Sequence, residues 1–343
     1  MNTEFLSVKD GAGEESLVRA AEIIKSGGLV AIPTETVYGL GASALCDEAV
    51  ARIFAVKGRP QDNPLIIHVH GPEALELWCR EVPQTAYELA ERFWPGPLTM
   101  VLKRTPRVPD RVTAGLDTVA VRCPDHPATL RIIELAGVPI AAPSANISGK
   151  PSPTSARHVL KDIGGRVEAI VDGGECRVGL ESTIIDLSVT PPRLLRPGGV
   201  SLEQLREVLG EVAVDEAVYR RLNEGEQPKA PGMKYRHYSP RARVVVLDGT
   251  AENAAAYVNA RRTERTAVLC FDGEERLFNV PVCLSYGDPS RPETLAEKLF
   301  ACLRELDRED IDEIYSRCPP REGVGLAVYN RLSKAAGNNV IEV

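Results

Sequence analysis

Two permanently charged side chains, Lys57 and Arg59, are separated by a single glycine in the stretch KGRPQDNPL. A helix with Asp47 as its N-cap is predicted to end near Lys57, because Pro60 and Pro64 prevent its continuation. Two cations on a loop stiffened by proline suit an anionic ligand such as a phosphate group. Taken alone, the pair is more typical of a solvated helix end, so other residues must support a site here.

A strand predicted at DTVAVRC places polar and small side chains on one face of a sheet. Side chains alternate between the two faces of a strand, so Val119 and Val121 point one way. Thr118, Ala120 and Arg122 point the other way. Because the residue between the hydroxyl and the guanidinium is small, this face is predicted to have room for a ligand.

The same alternation applies to the strand predicted at PLIIHVH. Leu65, Ile67 and Val69 share the core side, whereas His68 and His70 lie on the opposite side. On its own, His68 is typical of a surface imidazole. The His-x-His pair also lacks a convincing third ligand of the kind that zinc requires. We therefore predict no metal site from the two histidines.

Three loops that follow predicted strands, IPTETVYGLGA, APSANISGKPSPTSA and GLESTII, are rich in small polar groups. Their polar members are Thr34, Glu35, Thr36, Tyr38, Ser144, Asn146, Ser148, Ser152, Glu181, Ser182 and Thr183. Hydroxyls, amides and backbone N–H groups in glycine-rich turns suit polyanions, although each loop alone is more typical of a turn or a helix cap. A phosphate site is predicted once the loops are combined with the cations at comparable sheet ends, which are Lys57, Arg59, Arg122 and Arg196. The absence of a G-x-S-x-G motif argues against a Ser-His-Asp hydrolase.

The composition is that of an ordinary globular protein large enough for two domains. The 343 residues are 43% hydrophobic, which allows a sizeable core. None of the eight cysteines falls in a C-x-x-C pair, so we expect reduced thiols and no zinc ribbon. The net charge of −7 argues against tight non-specific nucleic-acid binding. No apolar run approaches the roughly 20 residues that span a bilayer, and the N-terminal segment does not resemble a secretion signal, so we expect a cytoplasmic protein without membrane attachment.

The order of the predicted elements indicates an α/β protein with two domains and a linker. In residues 1–211 the strands outnumber the helices, which favours a mixed twisted sheet over a purely parallel one. Residues 212–241 read as the linker, and their acid-free stretch APGMKYRHYSP suits a lid over an anionic, aromatic ligand. Residues 242–343 return to a βαβ alternation, which predicts a smaller Rossmann-like domain, although the G-x-G-x-x-G fingerprint is missing.

The chain as a whole resembles the threonylcarbamoyl-AMP synthases through six motifs: PTETVYGLGA, KGRPQDNPL, PSANISGKPSPT, GLESTI, LLRPG and APGMKYRHYSP. The resemblance is to the long form of the family, which has a YrdC-like catalytic domain, a linker and a C-terminal domain. It implies synthesis of threonylcarbamoyl-AMP from L-threonine, bicarbonate and ATP with release of pyrophosphate. The product serves the modification of tRNA beside the anticodon, so the implied partner is a tRNA-modifying transferase.

The resemblance also implies roles for individual residues, with Lys57 and Arg59 as the catalytic cations. The nucleotide side would comprise Arg59, Asn63, Thr118, Ser144, Asn146, Ser152 and Arg196, with Tyr235 of the linker over the nucleotide. The threonine side would comprise Thr36, His68, Arg122, the backbone near Ala142, and Ser182. Mg²⁺ is expected with ATP, but no carboxylate cluster assigns protein ligands to it.

Two other functional classes stay open at this stage. A different carbamoyl-adenylate enzyme, like the YrdC-like module in hydrogenase maturation, would keep the Lys-x-Arg and Ser-Ala-Asn loops but would need no threonine pocket. A non-catalytic RNA-binding module would show salt-dependent RNA affinity without ATP turnover. Neither class fits the linker motif as well as the synthase does.

Overall fold

The computed structural model of the chain describes residues 2–8, 13–220, 228–231, 233 and 237–343. The chain divides into two units. The first comprises Met1–Ser148 and Ser152–Lys234, and the second comprises Gly149–Pro151 and Tyr235–Val343. Each unit has its own sheet and its own hydrophobic core.

The first unit is built on one sheet of eleven described strands. In chain order they are β1 (Glu4–Ser7), β2 (Val30–Ile32), β3 (Gly39–Ser43), β4 (Ile66–His68), β5 (Leu98–Lys103), β6 (Thr118–Arg122), β7 (Ile140–Ala141), β8 (Ala169–Asp172), β9 (Thr183–Asp186), β10 (Arg193–Arg196) and β11 (Ala213–Val214). Across the sheet the order is β1-β8-β2-β3-β7-β4-β6-β5-β9-β10-β11. Parallel and antiparallel pairs both occur, such as β4 with β6 and β5 with β6, so the predicted mixed sheet is confirmed.

Helices connect these strands at intervals along the chain. In the described residues of this unit they are α1 (Gly13–Lys25), α2 (Asp47–Lys57), α3 (Leu75–Trp78), α4 (Gln84–Phe93), α5 (Asp110–Thr113), α6 (Pro127–Ala136), α7 (Ala156–Ile163) and α8 (Leu202–Leu209). Helix α1 shows the reason for the pattern, because its apolar residues lie on one stripe and are buried: Leu17, Ala20, Ala21 and Ile24. Gly27, with φ 81°, follows the helix end, and a glycine in the left-handed region is a common way for a helix to end.

Helix α2 carries Lys57 at its C-terminal end. The N-cap residue is Cys46, which makes no side-chain cap hydrogen bond, so the prediction of Asp47 as the cap is wrong. Asp47 lies in the first turn, where its carboxylate interacts favourably with the positive end of the helix dipole. Gly58 ends the helix in the left-handed conformation, with φ 60°. This turn leads the chain into the loop of Arg59.

Alternate residues of the strands enter different cores. In β2, Ala31 packs into the largest core, whereas Val30 and Ile32 pack into the core that contains α1 and α6. In β6, Val119 and Val121 belong to the largest core, as the alternation of DTVAVRC predicts. The opposite face of β6 therefore carries Thr118, Ala120 and Arg122.

A small apolar cluster covers part of this opposite face. The cluster consists of Ile66, Val101, Ala120, Ile184, Leu195, Ala217, Ala230 and Met233. Its last three members follow residue 211, and β11 also adds to the sheet by pairing in parallel with β10. Described parts of the 212–241 segment thus pack against the sheet of the first unit.

The second unit has a purely parallel sheet in the described residues. Its elements are β12 (Arg243–Asp248), α9 (Ala251–Asn259), β13 (Thr266–Cys270), β14 (Val282–Ser285), α10 (Pro292–Glu305), β15 (Glu313–Arg317), α11 (Gly323–Ala335) and β16 (Val340–Glu342). The strand order is β14-β13-β15-β12-β16, with parallel pairing throughout, so the predicted Rossmann-like alternation is confirmed. None of the helices in the described parts of the chain combines the length and the apolar character that a membrane span needs.

Gly198, in the turn after β10, is a position where we predict that no side chain fits. A Cβ there would lie 2.2 Å from Thr183 N and 2.4 Å from Ser182 C. These are backbone atoms, which cannot move aside as the end of a side chain would. We expect Gly198→Ala to lower the free energy of unfolding by about 1–3 kcal/mol in urea titrations. Gly13→Ala is the control, because its Cβ would meet only Val8 O, at 3.9 Å, in the described structure. Equal losses in the two variants would contradict the prediction.

Candidate active site

A row of polar side chains crosses three neighbouring strands. In the pairing of β4 with β6, His68 stands opposite Arg122, and in the pairing of β6 with β5 the same arginine stands opposite Thr99. Adjacent strands lie about 4.8 Å apart, so the register brings an imidazole, a guanidinium and a hydroxyl side by side. All three side chains are buried. They lie on the face of β6 that is opposite to the largest core.

Ser182 and Arg196 extend this row across the next strands. Ser182 immediately precedes β9, and its Oγ lies 2.8 Å from Thr99 Oγ1. Arg196 donates from Nε to Ser182 O at 3.0 Å and from Nη2 to Ser182 Oγ at 3.1 Å. A residue implied on the threonine side and one implied on the nucleotide side are therefore in direct contact.

A buried ion pair holds Arg122. Its Nη2 lies 2.7 Å from Glu35 Oε2, and its Nε donates to Gly96 O at 3.3 Å. The desolvation of two buried charges offsets most of their attraction, so a pair of this kind adds little net stability. Its main effect is to fix the direction of the guanidinium. Because arginine has five N–H donors, others remain for a carboxylate ligand.

His68 is a buried imidazole and not the surface residue that its sequence context alone suggests. Burial, and secondarily the positive charge of Arg122, lower the pKa of His68 to about 3, so the ring is neutral near pH 7. Its Nδ1 is buried and has no hydrogen-bond partner among the described residues. A neutral imidazole can accept a hydrogen bond through such a nitrogen or, as the other tautomer, donate one. His68 is therefore suited to a ligand hydroxyl.

The parallel pairing of β4 with β6 separates the loop of Arg59 and Asn63 from the row that contains His68 and Arg122. Ile66 pairs with Ala120, so the loop that leads into β4 lies level with Thr118 at the start of β6. His68 and Arg122 lie at the other ends of the same two strands. Four residues of strand span about 13 Å. The nucleotide-side loop and the threonine-side row are therefore about 13 Å apart along one face of the sheet.

Arg59 and Asn63 occupy the loop at the nucleotide end. The guanidinium of Arg59 donates to Pro64 O at 3.0 Å and to Asn63 O at 3.3 Å. Asn63 is buried, and its Oδ1 has no hydrogen-bond partner in the described part of the chain. A buried amide oxygen without a partner is costly, which favours a ligand donor at this position.

Lys57 reaches into the Ser-Ala-Asn loop. Its side chain is 2% exposed, and its Nζ donates to Ser144 O at 2.5 Å and to Asn146 O at 2.6 Å. The carbonyl of Lys57 accepts a hydrogen bond from Ser148 N at 2.8 Å. These contacts clamp the loop against the end of α2 and place a positive charge beneath it.

Hydrogen bonds also join the loop of Thr36 to the Ser-Ala-Asn loop. Tyr38 N donates to Pro153 O at 2.9 Å, and Ala145 N donates to Tyr38 O at 2.8 Å. Thr36 is fully buried, with its Oγ1 2.8 Å from Thr34 Oγ1. The two loops therefore form one connected structure beside the sheet.

Ser152 and Ala142 use their polar groups within the protein. Ser152 Oγ donates to Glu181 Oε1 at 2.6 Å. Ala142 N donates to Ile66 O at 3.0 Å, so this amide belongs to the hydrogen bonding of the sheet. A ligand near Ala142 would meet other backbone groups. Tyr235, implied over the nucleotide, lies outside the described residues.

Thr99 and Glu35 belong to the site, although the family resemblance implies no role for either residue. Thr99 joins the row only because β5 pairs with β6, and strand order cannot be read from PLTMVLK alone. Glu35 stands in PTETVYGLGA between two threonines, directly after a buried strand. A charged side chain directly after a buried strand is rarely buried without a partner. This position of Glu35 was the sequence signal that indicated an ion pair.

Comparisons with known proteins cover both units. Residues 22–198 match the family model of the Sua5, YciO and YrdC proteins, described as "Telomere recombination". Residues 200–337 match the model described as "Threonylcarbamoyl-AMP synthase, C-terminal domain". The threonylcarbamoyl-AMP synthase of Pyrococcus abyssi is 49% identical over 99% of this chain and 100% of its own length. The chain belongs to the threonylcarbamoyl-AMP synthase family.

Further relatives of this family agree with the assignment. The threonylcarbamoyl-AMP synthase of Bacillus subtilis is 43% identical over 98% of each chain. The crystal structure of P. abyssi Sua5 complexed with L-threonine has a TM-score of 0.92 at 48% identity, covering 99% of this chain and 100% of that one. The resemblance drawn from the six motifs, the long-form architecture and the assignment as a transferase enzyme are confirmed.

The pKa of His68 predicts a contribution to acid sensitivity. His68 has a pKa of 6.5 when unfolded and about 3 when folded, so between these values the unfolded chain binds the extra proton. Stability contributed by His68 therefore falls as pH drops through this window, by at most about 1.4 kcal/mol per pH unit. We expect His68→Gln to flatten the pH dependence of the free energy of unfolding, measured by urea titration from pH 6.5 down to about 4.

The exposed His70 supplies the control for this measurement. His70→Gln makes the same substitution at an exposed position two residues along the chain, and so serves as the matched variant. Burial also lowers the pKa of His126, so part of the slope persists in every variant. Identical slopes for the parent protein and His68→Gln would show that His68 is not a buried neutral imidazole.

Proposed function

We propose that this chain synthesises L-threonylcarbamoyl-AMP from L-threonine, bicarbonate and ATP. The ammonium group of threonine and bicarbonate form a carbamate, with loss of one water molecule and one proton. A carbamate oxygen then attacks the α-phosphorus of ATP, so that a new P–O bond forms while the bond to the β-phosphate breaks and pyrophosphate leaves. A second enzyme, a transferase, would use the product to modify tRNA beside the anticodon.

One observation carries the proposal: a single sheet face offers different chemistry at its two ends. At one end, Arg122 and His68 suit a carboxylate and a hydroxyl. About 13 Å away, the loop of Arg59 and Asn63 lies level with Thr118 and suits phosphate and nucleotide groups. An amino acid and a nucleotide laid along this face would meet between the two ends. The crystal structure of the P. abyssi relative in complex with L-threonine supports threonine as the amino-acid substrate.

The reaction brings two anions together, so the site must neutralise charge and fix geometry. Arg59 lies at the nucleotide end and would stabilise charge that develops on the phosphates. Lys57 acts beneath the Ser-Ala-Asn loop, where its ammonium holds Ser144 O and Asn146 O. No residue is required as a covalent nucleophile, because the carbamate itself attacks.

Mg²⁺ enters this proposal as part of the substrate MgATP. The residues that the structure describes include no group of three or more His, Cys, Asp or Glu side chains arranged to hold a metal. Nucleotide-bound Mg²⁺ commonly takes its ligands from phosphate oxygens and water, with few from the protein. We place the reaction in the cytoplasm, where ATP and tRNA are found.

Amino-acid dependence gives the first test of the function. The protein is incubated with MgATP, bicarbonate and each of the twenty amino acids, and pyrophosphate release and product mass are measured. We expect release with threonine and bicarbonate together, and kcat/KM about 10-fold or more lower with serine, because the space for the missing methyl group stays empty.

Other outcomes of this assay would indicate a different function. Pyrophosphate release without any amino acid would favour another carbamoyl-adenylate enzyme. Equal kcat/KM for serine and threonine would contradict a site shaped for threonine. Salt-dependent RNA binding without ATP turnover would favour an RNA-binding module.

Substitution of Arg59 tests the nucleotide end. We expect Arg59→Ala to lower kcat by about 100-fold, because one cation is lost from developing phosphate charge. Arg52→Ala is the matched control, since Arg52 lies on the preceding helix and pairs with Glu168 at 2.6 Å. Thermal unfolding checks that both variants are folded. Near-parental turnover in folded Arg59→Ala would remove Arg59 from the site.

A further inference from the structure

The candidate residues leave one charge of the proposed substrate without a partner. Free threonine is a zwitterion, with a carboxylate and an ammonium group on the same carbon. Arg122 suits the carboxylate, but the threonine-side candidates Thr36, His68, Ala142 and Ser182 include no acid. Burying an ammonium group without an anionic or other strong acceptor costs free energy. The threonine-side candidates alone therefore lack a group that binds the ammonium.

Glu35 has the properties of this missing group. Its side chain is 2% exposed, and its Oε2 accepts the hydrogen bond from Arg122 Nη2 at 2.7 Å. Its other oxygen, Oε1, is buried and has no hydrogen-bond partner among the described residues. A buried carboxylate oxygen accepts strong hydrogen bonds, and leaving it without a donor costs free energy. The structure therefore contains an anionic acceptor beside the guanidinium.

The surroundings of Glu35 include two thiols and one imidazole. Its charge contributes to raising the pKa of the Cys176 and Cys123 thiols, after the larger effect of burial, which places it close to both. It also lies near His126, whose Nδ1 is itself buried without a partner in the described structure. Glu181, the other acid of the candidate loops, already accepts a hydrogen bond from Ser152. Glu35 is thus the acid best placed to serve the row.

We propose that Glu35 binds the α-ammonium group of the amino-acid substrate through Oε1 while Oε2 holds Arg122 in position. The substrate carries its carboxylate and ammonium side by side, and Arg122 and Glu35 present the complementary charges side by side. This arrangement selects a free α-amino acid over an acid without the amine. The inference rests on the proposed function, because it assigns a specificity residue to the amino-acid end of that site.

The assignment has a consequence for the reaction. Carboxylation by bicarbonate, with loss of one water molecule and one proton, converts the cationic ammonium into the N–H of a carbamate anion. The contact with Glu35 then changes from attraction to repulsion, whereas the cations at the nucleotide end attract the new anion. Glu35 therefore favours binding of the free amino acid and disfavours retention of the carbamate at the same position.

The test compares two ligands that differ only in the amine. L-Threonine and (R)-3-hydroxybutanoate, which is threonine without its amino group, are titrated into the full-length protein by calorimetry. We expect the parent protein to bind threonine about 10-fold or more tightly, the value of one charge-assisted hydrogen bond. In Glu35→Gln this preference should fall to within about threefold, because threonine loses affinity and the deaminated ligand does not.

The control and the overturning outcomes follow from the same titrations. Glu168→Gln makes the same change in a peripheral pair with Arg52 and should keep the full preference. Equal weakening of both ligands in Glu35→Gln would show that Glu35 only positions Arg122. If Glu35→Gln does not fold, the titrations of the parent protein still test the assignment. Similar affinities of the parent protein for the two ligands would overturn it. Absence of any threonine binding would instead overturn the proposed function.

Discussion

The parallel pairing of β4 with β6 is the constraint on which the candidate site depends. Parallel strands start at the same edge of a sheet, so the loop before β4 must meet the start of β6 and His68 must meet Arg122. A slip of one residue would turn Arg122 into the largest core and expose Val121 to the ligand face. The register therefore determines both the polarity of the face and the separation between its ends.

The charges of the site are buried at a cost that the fold compensates locally. Lys57 and Arg196 direct their N–H groups to main-chain carbonyls, and Arg122 is neutralised by Glu35. The free energy gained from these hydrogen bonds and this ion pair roughly equals the cost of desolvating the charges, so the net contribution to stability is small. The free energy of folding comes instead from the apolar cores on the two sides of the sheet. The buried charges are best explained by preorganisation, because they hold donors in place before a ligand arrives.

Much of the fold and part of the site could be predicted from the sequence. Alternation along DTVAVRC correctly placed Thr118 and Arg122 on the face away from the largest core, because the side-chain period of a strand depends on local geometry. The buried stripe of α1 likewise follows from local geometry, because residues three and four apart share one face of a helix. Six motifs were enough to indicate the family. Each strand, helix or motif in this group can be recognised within its own short segment, without knowledge of how distant segments pair.

Features that depend on distant segments could not be predicted. Thr99 and Ser182 are 83 residues apart in the chain, and only the strand order brings their hydroxyls together. The ion pair of Arg122 with Glu35 spans 87 residues and likewise depends on how the loops fold onto the sheet. The burial of His68 could not be predicted, because it depends on the distant segments that cover this face of the sheet. Propensity and periodicity carry no information on such long-range contacts.

The clamp made by Lys57 has a consequence for how this protein can evolve. Its ammonium binds Ser144 O and Asn146 O, which are main-chain atoms that every amino acid supplies. Substitutions in the loop would change the side chains that face a ligand, but the acceptors that hold the loop would persist. Selection on one lysine is therefore enough to keep these two contacts. The loop itself remains comparatively free to acquire new specificity while its anchor stays the same.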